Sequence, residues 1–83
     1  MDYTIVDVRT PAEFAGGNVN GSVNIPLDQL MDRSEEVMSI EGPVIFCCAS
    51  GGRSGQANSY FSSKGLNCEN GGGWMEVNAR INP

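Results

Sequence analysis

The sequence predicts an α/β fold, a single domain over residues 1–83 with a mostly parallel sheet flanked by helices. Two runs, YTIVDV at 3–8 and VIFC at 44–47, are apolar on both alternations apart from Asp7, which is typical of strands covered on both faces. Helix signals lie between and after these runs, so that strands and helices alternate. In such a sheet, ligands bind at the carboxyl ends of the strands.

The first half of the chain has the pattern of a βαβ unit. After the first strand, TPAE at 10–13 supplies an N-cap hydroxyl, a proline at the first helical position and a glutamate at the third, which together form a capping box. Two glycines end this helix, and a short strand is predicted at 22–25. One broken helix or two short helices are expected next, at 27–31 and at 34–40, with Ser34 as the N-cap of the second segment.

The second half continues the alternation. A buried strand at 44–47 leads into a glycine-rich loop, and the apolar spacing predicts a helix over 54–64. A last short strand is predicted at 66–69. It is followed by a conformationally permissive glycine loop at 70–73 and by a terminal helix whose first part is residues 74–79. The sheet should therefore contain about four strands.

Composition excludes several function classes. A net charge of −5 repels phosphate backbones and anionic lipids, and no apolar stretch approaches the roughly 20 residues that span a bilayer, so neither nucleic acid nor a membrane is an expected partner. The absence of histidine excludes a Ser-His-Asp triad, a Cys-His dyad and a Cys/His zinc site. We expect a monomer without metal or organic cofactor. The compartment stays open: periplasmic if a signal peptide was removed, otherwise cytoplasmic.

The stretch CCASGGRS at 47–54 carries the candidate chemistry. A thiol with a pKa of about 8.5 is mostly protonated at neutral pH, so a nucleophilic cysteine needs its thiolate stabilised. Without histidine, the sequence offers backbone amides of a glycine-rich turn, a helix N-terminus and a guanidinium. The residues of this predicted cradle are Ala49, Ser50, Gly51, Gly52, Arg53 and Ser54.

Strand alternation favours Cys48 as the nucleophile. Cys47 continues the buried strand, whereas Cys48 is the first residue free to turn into the loop. Cys47 and Cys68 are expected to be small buried hydrophobic residues, as most free cysteines are. Arg53 is either a solvated surface arginine or the group that receives an anion at the pocket mouth.

Four further residues have an expected place around the loop. Arg9 and Glu13 lie four apart across the strand-to-helix turn and are expected to pair with each other. Asp7, near the carboxyl end of its strand, is a candidate for supporting the loop. Trp74 either walls the pocket or packs into the core.

Four ordered stretches resemble the single-domain rhodaneses, which are thiosulfate sulfurtransferases, and especially their short phage-shock type. They are DVRTPAEF at 7–14, GNVNGSVNIP at 17–26, the cysteine-plus-five loop, and GLNCENGGGW at 65–74. Two departures accompany the resemblance. The additional strand and helix that precede the first motif in full-length members are missing, which suggests four strands instead of five, and Asn18 stands where the family usually has histidine.

The resemblance implies a small three-layer rhodanese-like fold and a Cys48 persulfide. The implied donor is thiosulfate or another sulfane-sulfur donor, and the acceptor is cyanide, a small thiol or a thioredoxin-like protein. Related phosphatases have a loop one residue longer, which would make Cys47 the nucleophile, because Arg53 follows Cys47 as C-x5-R and Cys48 as C-x4-R. Alternatives are thus a non-enzymatic persulfide carrier or interaction module and, third, an enzyme similar to phosphatases or arsenate reductases.

Overall fold

The computed structural model describes residues 2–83, and the predicted α/β alternation is confirmed. A short 3-10 helix at Leu27–Gln29 precedes the second α-helix. The other elements, in chain order, are β1 (Thr4–Asp7), α1 (Pro11–Ala15), β2 (Val23–Asn24), α2 (Ser34–Met38), β3 (Val44–Cys48), α3 (Gly52–Ser63), β4 (Cys68–Gly73) and α4 (Trp74–Ile81).

The four strands form one parallel sheet in the order β2-β1-β3-β4. β3 lies in the interior of the sheet, and all five of its residues are buried, which explains why its sequence is apolar on both alternations. Its register with β1 runs from Thr4 opposite Val44 to Asp7 opposite Cys47. The carboxyl ends of β1 and β3 therefore lie side by side, at the edge where the loop after Cys48 begins.

Helices cover both faces of the sheet and give it three layers. Alternation along β3 directs Phe46 and Cys48 into one core, together with Val37 of α2 and Phe61 of α3. Cys47 belongs to the core on the opposite face, where α4 contributes Val77. The two adjacent cysteines are thus separated by the sheet itself.

The capping box predicted at the start of α1 is confirmed. The Glu13 amide donates to Thr10 Oγ1 at 3.2 Å, and the Thr10 amide donates to Glu13 Oε1 at 3.0 Å. This reciprocal pair satisfies two of the amides that a helix N-terminus leaves without partners. It also fixes the position of the Glu13 carboxylate.

The last strand differs from its prediction. β4 is longer than the expected strand at 66–69 and includes the glycines that were expected to form a loop. Gly73 pairs with Cys48 after a register shift, because β4 has one extra residue, Gly71, opposite the Phe46–Cys47 step of β3. An added Cβ at Gly73 would lie 2.7 Å from the Ala49 carbonyl oxygen. Glycine is needed at these positions because the backbone of β4 lies too close to its neighbours to leave room for a side chain. This steric requirement outweighs the low propensity of glycine for strands.

Two helix boundaries also differ. α3 begins at Gly52, two residues before the expected Ser54, because the first turn of the loop is already helical. In α2, Ser34 is the first helical residue and Arg33 stands at the N-cap without a side-chain hydrogen bond, so the prediction of Ser34 as N-cap is wrong. Among residues 2–83, no helix has the length and apolar character needed to cross a membrane.

Candidate active site

The loop after β3 folds back so that its amides face the sulfur of Cys48. The Gly51 amide donates a hydrogen bond to Cys48 Sγ at 2.9 Å. Gly51 has φ of 105°, a left-handed conformation that glycine adopts without steric cost. Ser54 Oγ, in the first turn of α3, lies 3.3 Å from the same sulfur. Cys48 is only 1% exposed, so its sulfur forms the floor of a narrow cradle.

The cradle favours the thiolate form of Cys48. Burial alone would raise the pKa of this thiol, but hydrogen bonds from the Ser54 hydroxyl and from the amides of Ser54, Gly51 and Ser50 outweigh burial and lower the pKa to about 7. Backbone and hydroxyl donors therefore stabilise the thiolate here, as histidine does in many cysteine enzymes.

Cys47 and Cys68 lack this environment. Cys47 is fully buried, and burial together with the nearby Asp7 carboxylate raises the pKa of its thiol to about 12. Cys68 is half-buried at the start of β4, where burial raises the pKa of its thiol. Because Cys47 faces the core on the other side of the sheet, it cannot stand at the start of a phosphate-binding loop.

Arg53 does not stand free at the pocket mouth. Its Nη1 and Nη2 donate to the two carboxylate oxygens of Glu13 at 2.7 and 3.0 Å, so that α3 is joined to α1. The hydrogen bonds from Arg53 and from Thr10 lower the pKa of Glu13 to about 2. The pair stays ionised at neutral pH, and the positive charge expected to receive an anion already has a carboxylate partner.

The expected pairing of Arg9 with Glu13 is wrong. Asp7 is fully buried and only two residues from Arg9, and Arg9 Nη2 donates to its carboxylate at 2.7 Å. A buried carboxylate needs a charged partner more than the half-buried Glu13 does, since water does not reach it. The side chains of Arg9 and Glu13 therefore serve two separate ion pairs.

Arg9 also holds the segment after β1 together. Its guanidinium donates to the carbonyls of Glu13 at 3.2 Å and Gly17 at 2.6 Å, and lies 5.0 Å from the ring centroid of Trp74. Trp74 packs against the core that contains Cys47, on the α4 face of the sheet. These contacts give Asp7, Arg9 and Trp74 structural roles behind the cradle, and none of the three donates a hydrogen bond to Cys48.

The other cradle residues lie around the opening. Ala49 and Ser50 are exposed at the start of the turn, and an added Cβ at Gly52 would meet nothing within 4 Å. Beside Arg53, a cleft of about 310 Å³ is lined by Val8, Thr10, Pro26, Leu27, Asp28 and Arg53.

Sequence reasoning missed Asn70, which the structure brings to the cradle. Asn70 Nδ2 donates to the Gly51 carbonyl at 3.0 Å, and its Oδ1 accepts from the Gly72 amide at 3.0 Å. Ser54 Oγ lies 2.6 Å from the same Oδ1. The assignment of residues 70–73 to a loop concealed this residue, because strand pairing of β4 with β3 is what places Asn70 beside the turn.

Comparison with known proteins agrees with this geometry. The sequence model of one protein family, the rhodanese-like domain, matches residues 1–80 of this chain. The chain belongs to the rhodanese-like domain family.

Three curated relatives are similar in sequence. An uncharacterized protein, YqhL, from Bacillus subtilis is 41% identical over 61 residues, 74% of this chain and 48% of the relative. A sulfurtransferase from Allochromatium vinosum is 38% identical over 77% of this chain and 59% of its own length. The thiosulfate sulfurtransferase PspE of Escherichia coli is 34% identical over 87% of this chain and 71% of its own length. The chain thus spans only about half the length of the first two relatives.

Solved structures show the same rhodanese fold. A rhodanese-related protein from Thermoplasma volcanium superposes with a TM-score of 0.82 at 30% identity, covering 98% of this chain and 80% of its own. A rhodanese with anions from E. coli gives a TM-score of 0.79 at 32% identity, covering 89% of both chains. The expected three-layer rhodanese-like architecture is therefore confirmed.

Proposed function

We propose that this rhodanese-like domain is a sulfurtransferase that carries sulfane sulfur on Cys48 as a persulfide. The observation that supports this most strongly is the cradle itself, where the Gly51 amide donates to Cys48 Sγ at 2.9 Å and the thiol has a pKa of about 7. The donor is thiosulfate or another sulfane-sulfur compound. The acceptor is cyanide, a small thiol or a thioredoxin-like protein.

The transfer needs no oxidant or reductant beyond its two substrates. The Cys48 thiolate attacks the outer sulfur of thiosulfate, the S–S bond of thiosulfate breaks, and sulfite leaves with the bonding electron pair. The same amides that stabilise the thiolate can then stabilise the negative outer sulfur of the persulfide. Cyanide attacks that outer sulfur, which releases thiocyanate and regenerates the Cys48 thiolate.

Arg53 would hold the sulfonate end of thiosulfate. Its guanidinium is near enough to Cys48 to interact with it electrostatically, and a fork of N–H donors suits an anion with several oxygens. Glu13 accepts hydrogen bonds from two of these donors. An anionic donor must therefore share or displace the Glu13 carboxylate, which limits its affinity.

Intact-protein mass after brief incubation with thiosulfate tests the proposal. The wild type and Cys47→Ser should each gain one sulfur atom, and Cys48→Ser should gain none. Addition of cyanide should then restore the original mass and release thiocyanate. Absence of any sulfur gain in the wild type would refute the persulfide on Cys48.

The Glu13–Arg53 pair gives one reason to consider a persulfide carrier as the second candidate. A site whose cation already has a partner handles small anions slowly and suits a sulfur donor delivered by another protein. In that case Cys48 would acquire sulfur from a protein-bound persulfide, and cyanide would remove it only slowly. Comparison of turnover with thiosulfate and with a protein persulfide donor separates the two functions.

A further inference from the structure

Asn70 links three parts of the cradle through one side chain. It reaches from β4 to the Gly51 carbonyl, to the Gly72 amide and to the Ser54 hydroxyl. Gly51 is the residue whose amide contacts the Cys48 sulfur, and Ser54 is the residue whose hydroxyl lies beside it. A residue outside the loop therefore contacts the Ser54 hydroxyl directly and holds Gly51, whose amide faces the sulfur, through the Gly51 carbonyl.

The hydrogen bonds fix which end of the Asn70 amide faces Ser54. Nδ2 must face the Gly51 carbonyl, because that carbonyl can only accept, and Oδ1 must face the Gly72 amide, because that amide can only donate. Oδ1 is an acceptor, so the Ser54 hydroxyl, 2.6 Å away, donates its hydrogen to Asn70. Ser54 is fully buried and has a single hydroxyl hydrogen, so while it donates to Asn70 it cannot also make the bond to the sulfur at 3.3 Å that stabilises the thiolate form.

The two protonation states of Cys48 need different positions of that hydrogen. As a thiol, Cys48 can donate S–H to Ser54 Oγ while Ser54 donates to Asn70, which forms a continuous chain of hydrogen bonds. As a thiolate, Cys48 can only accept, so the Ser54 hydroxyl must rotate from Asn70 to the sulfur. Asn70 Oδ1 keeps the Gly72 amide as a partner in both states.

We propose that Asn70 is a positioning residue that competes with the Cys48 sulfur for the Ser54 hydroxyl hydrogen and so sets how much thiolate the enzyme holds at neutral pH. This role rests on the proposed function of Cys48 as the sulfur-carrying nucleophile. Asn70 acts in two opposing ways: its Nδ2 fixes the turn that presents the Gly51 amide, whereas its Oδ1 withdraws the Ser54 hydroxyl from the sulfur.

The charged and titratable groups around Cys48 come from several elements. Arg53 on α3 interacts electrostatically with Cys48 and forms an ion pair with Glu13 of α1. The buried Asp7–Arg9 pair and the Cys47 thiol lie next to it across β1 and β3. Glu76 of α4 accepts from the amide of Gly73, which pairs with Cys48. All remain in variants of residues 54 and 70, so their effect cancels when these variants are compared.

A double-mutant cycle separates the two actions of Asn70. Variants Asn70→Ala, Ser54→Ala and their combination are made alongside the wild type, and the rate of Cys48 alkylation by iodoacetamide is measured from pH 4.5 to 10 with peptide mass mapping. Loosening of the turn by Asn70→Ala occurs in both backgrounds and cancels in the cycle. Asn67→Ala, at an exposed position just before β4, serves as the matched control.

We expect Asn70→Ala to move the alkylation midpoint to lower pH by about half a unit more when residue 54 is serine than when it is alanine, which is roughly a threefold difference in rate below the midpoint. Ser54→Thr, which keeps a hydroxyl, should restore this dependence. The same shift in both backgrounds would refute the competition.

Two further measurements keep the result unambiguous. Melting curves check folding, and if Asn70→Ala does not fold, Asn70→Asp replaces it. Aspartate is nearly the same size as asparagine and keeps the acceptor oxygen, so the coupling of Asn70→Asp to Ser54 should have the opposite sign to that of Asn70→Ala. Zero coupling would overturn the proposal. The alkylation rate measures how much of Cys48 is thiolate and does not require sulfur transfer. A wild type that accepts no sulfur would therefore refute the proposed function while leaving the coupling between Asn70 and Cys48 measurable.

Discussion

Replacing Glu13 with glutamine should increase the affinity for thiosulfate. The Glu13 carboxylate binds both terminal nitrogens of Arg53, and its low pKa of about 2 keeps it charged throughout the neutral range. Glutamine retains the side-chain oxygen that a capping box requires, so α1 should still begin at Pro11. The substitution therefore removes one negative charge beside the anion site and leaves the local fold in place.

The size of the effect follows from the charges. A thiosulfate dianion resting on Arg53 would lie roughly 6 Å from the Glu13 carboxylate, and in water this repulsion weakens binding by about tenfold. At 0.15 M salt the Debye length is about 8 Å, and screening reduces the factor to about threefold. Glu13→Gln should thus lower KM for thiosulfate by about three- to tenfold, most at low ionic strength.

Steady-state release of thiocyanate measures this effect as a function of thiosulfate and salt. The matched control is Glu36→Gln, because Glu36 is also bound by an arginine, Arg33, at 2.9 Å, and its removal changes the net charge by the same amount. Glu36 lies on α2, and its substitution should leave KM unchanged. The value of kcat should change less than KM, since Glu13 does not contact the reacting sulfur.

Two results would refute this reasoning. If KM in Glu13→Gln equals that of the wild type at low salt, the carboxylate does not restrict the anion. If Glu36→Gln lowers KM as much as Glu13→Gln does, the effect comes from net charge and not from the pair at the cradle.

Three further predictions follow from the site and its support. Alkylation of Cys48 should be half-maximal near pH 7 and fall at lower pH as the thiol becomes protonated, with the same profile in Cys47→Ser; a midpoint above pH 8 would contradict the cradle. Asp7→Asn should lower the free energy of unfolding by about 3–5 kcal/mol in urea titrations, because it leaves a buried guanidinium without its charged partner, whereas a loss below about 1 kcal/mol would contradict this. Gly51→Ala should destabilise the fold by about 1–2 kcal/mol and raise the pH midpoint of Cys48 alkylation, because φ is 105° at this residue. Gly52→Ala should have neither effect, since a Cβ added at Gly52 has no neighbour within 4 Å. Equal effects of the two substitutions would exclude the conformational explanation.

Local signals made most of the fold predictable. The buried strand at β3 and the capping box of α1 depend on neighbouring residues only, and both are found where the sequence places them. β4 was predicted too short because its glycines have low strand propensity, and only the close approach of its backbone to β3 explains them. Propensity therefore fails where contacts distant in sequence decide the conformation.

Only part of the site was predictable, again because local sequence does not specify contacts between residues far apart in the chain. Cys48 and the amides that face it lie within seven residues, so strand alternation and turn chemistry sufficed to identify them. The pairing of Arg53 with Glu13 spans 40 residues and the contact of Ser54 with Asn70 spans 16, and both depend on how strands are ordered in the sheet. A single sequence contains no local pattern that specifies such contacts.

The placement of Cys47 and Cys48 on opposite faces of one strand has a consequence for how sulfur leaves the protein. Neighbouring residues of a strand direct their Cβ atoms apart, and thiols so oriented cannot be bridged without moving the backbone. In the proposed function, a sulfur atom carried on Cys48 would therefore be shielded from the neighbouring Cys47 thiol, which would otherwise release it as hydrogen sulfide and close an inactive disulfide. The proposed sulfur would leave through the mouth of the loop, and its delivery would depend on an acceptor that comes from solution.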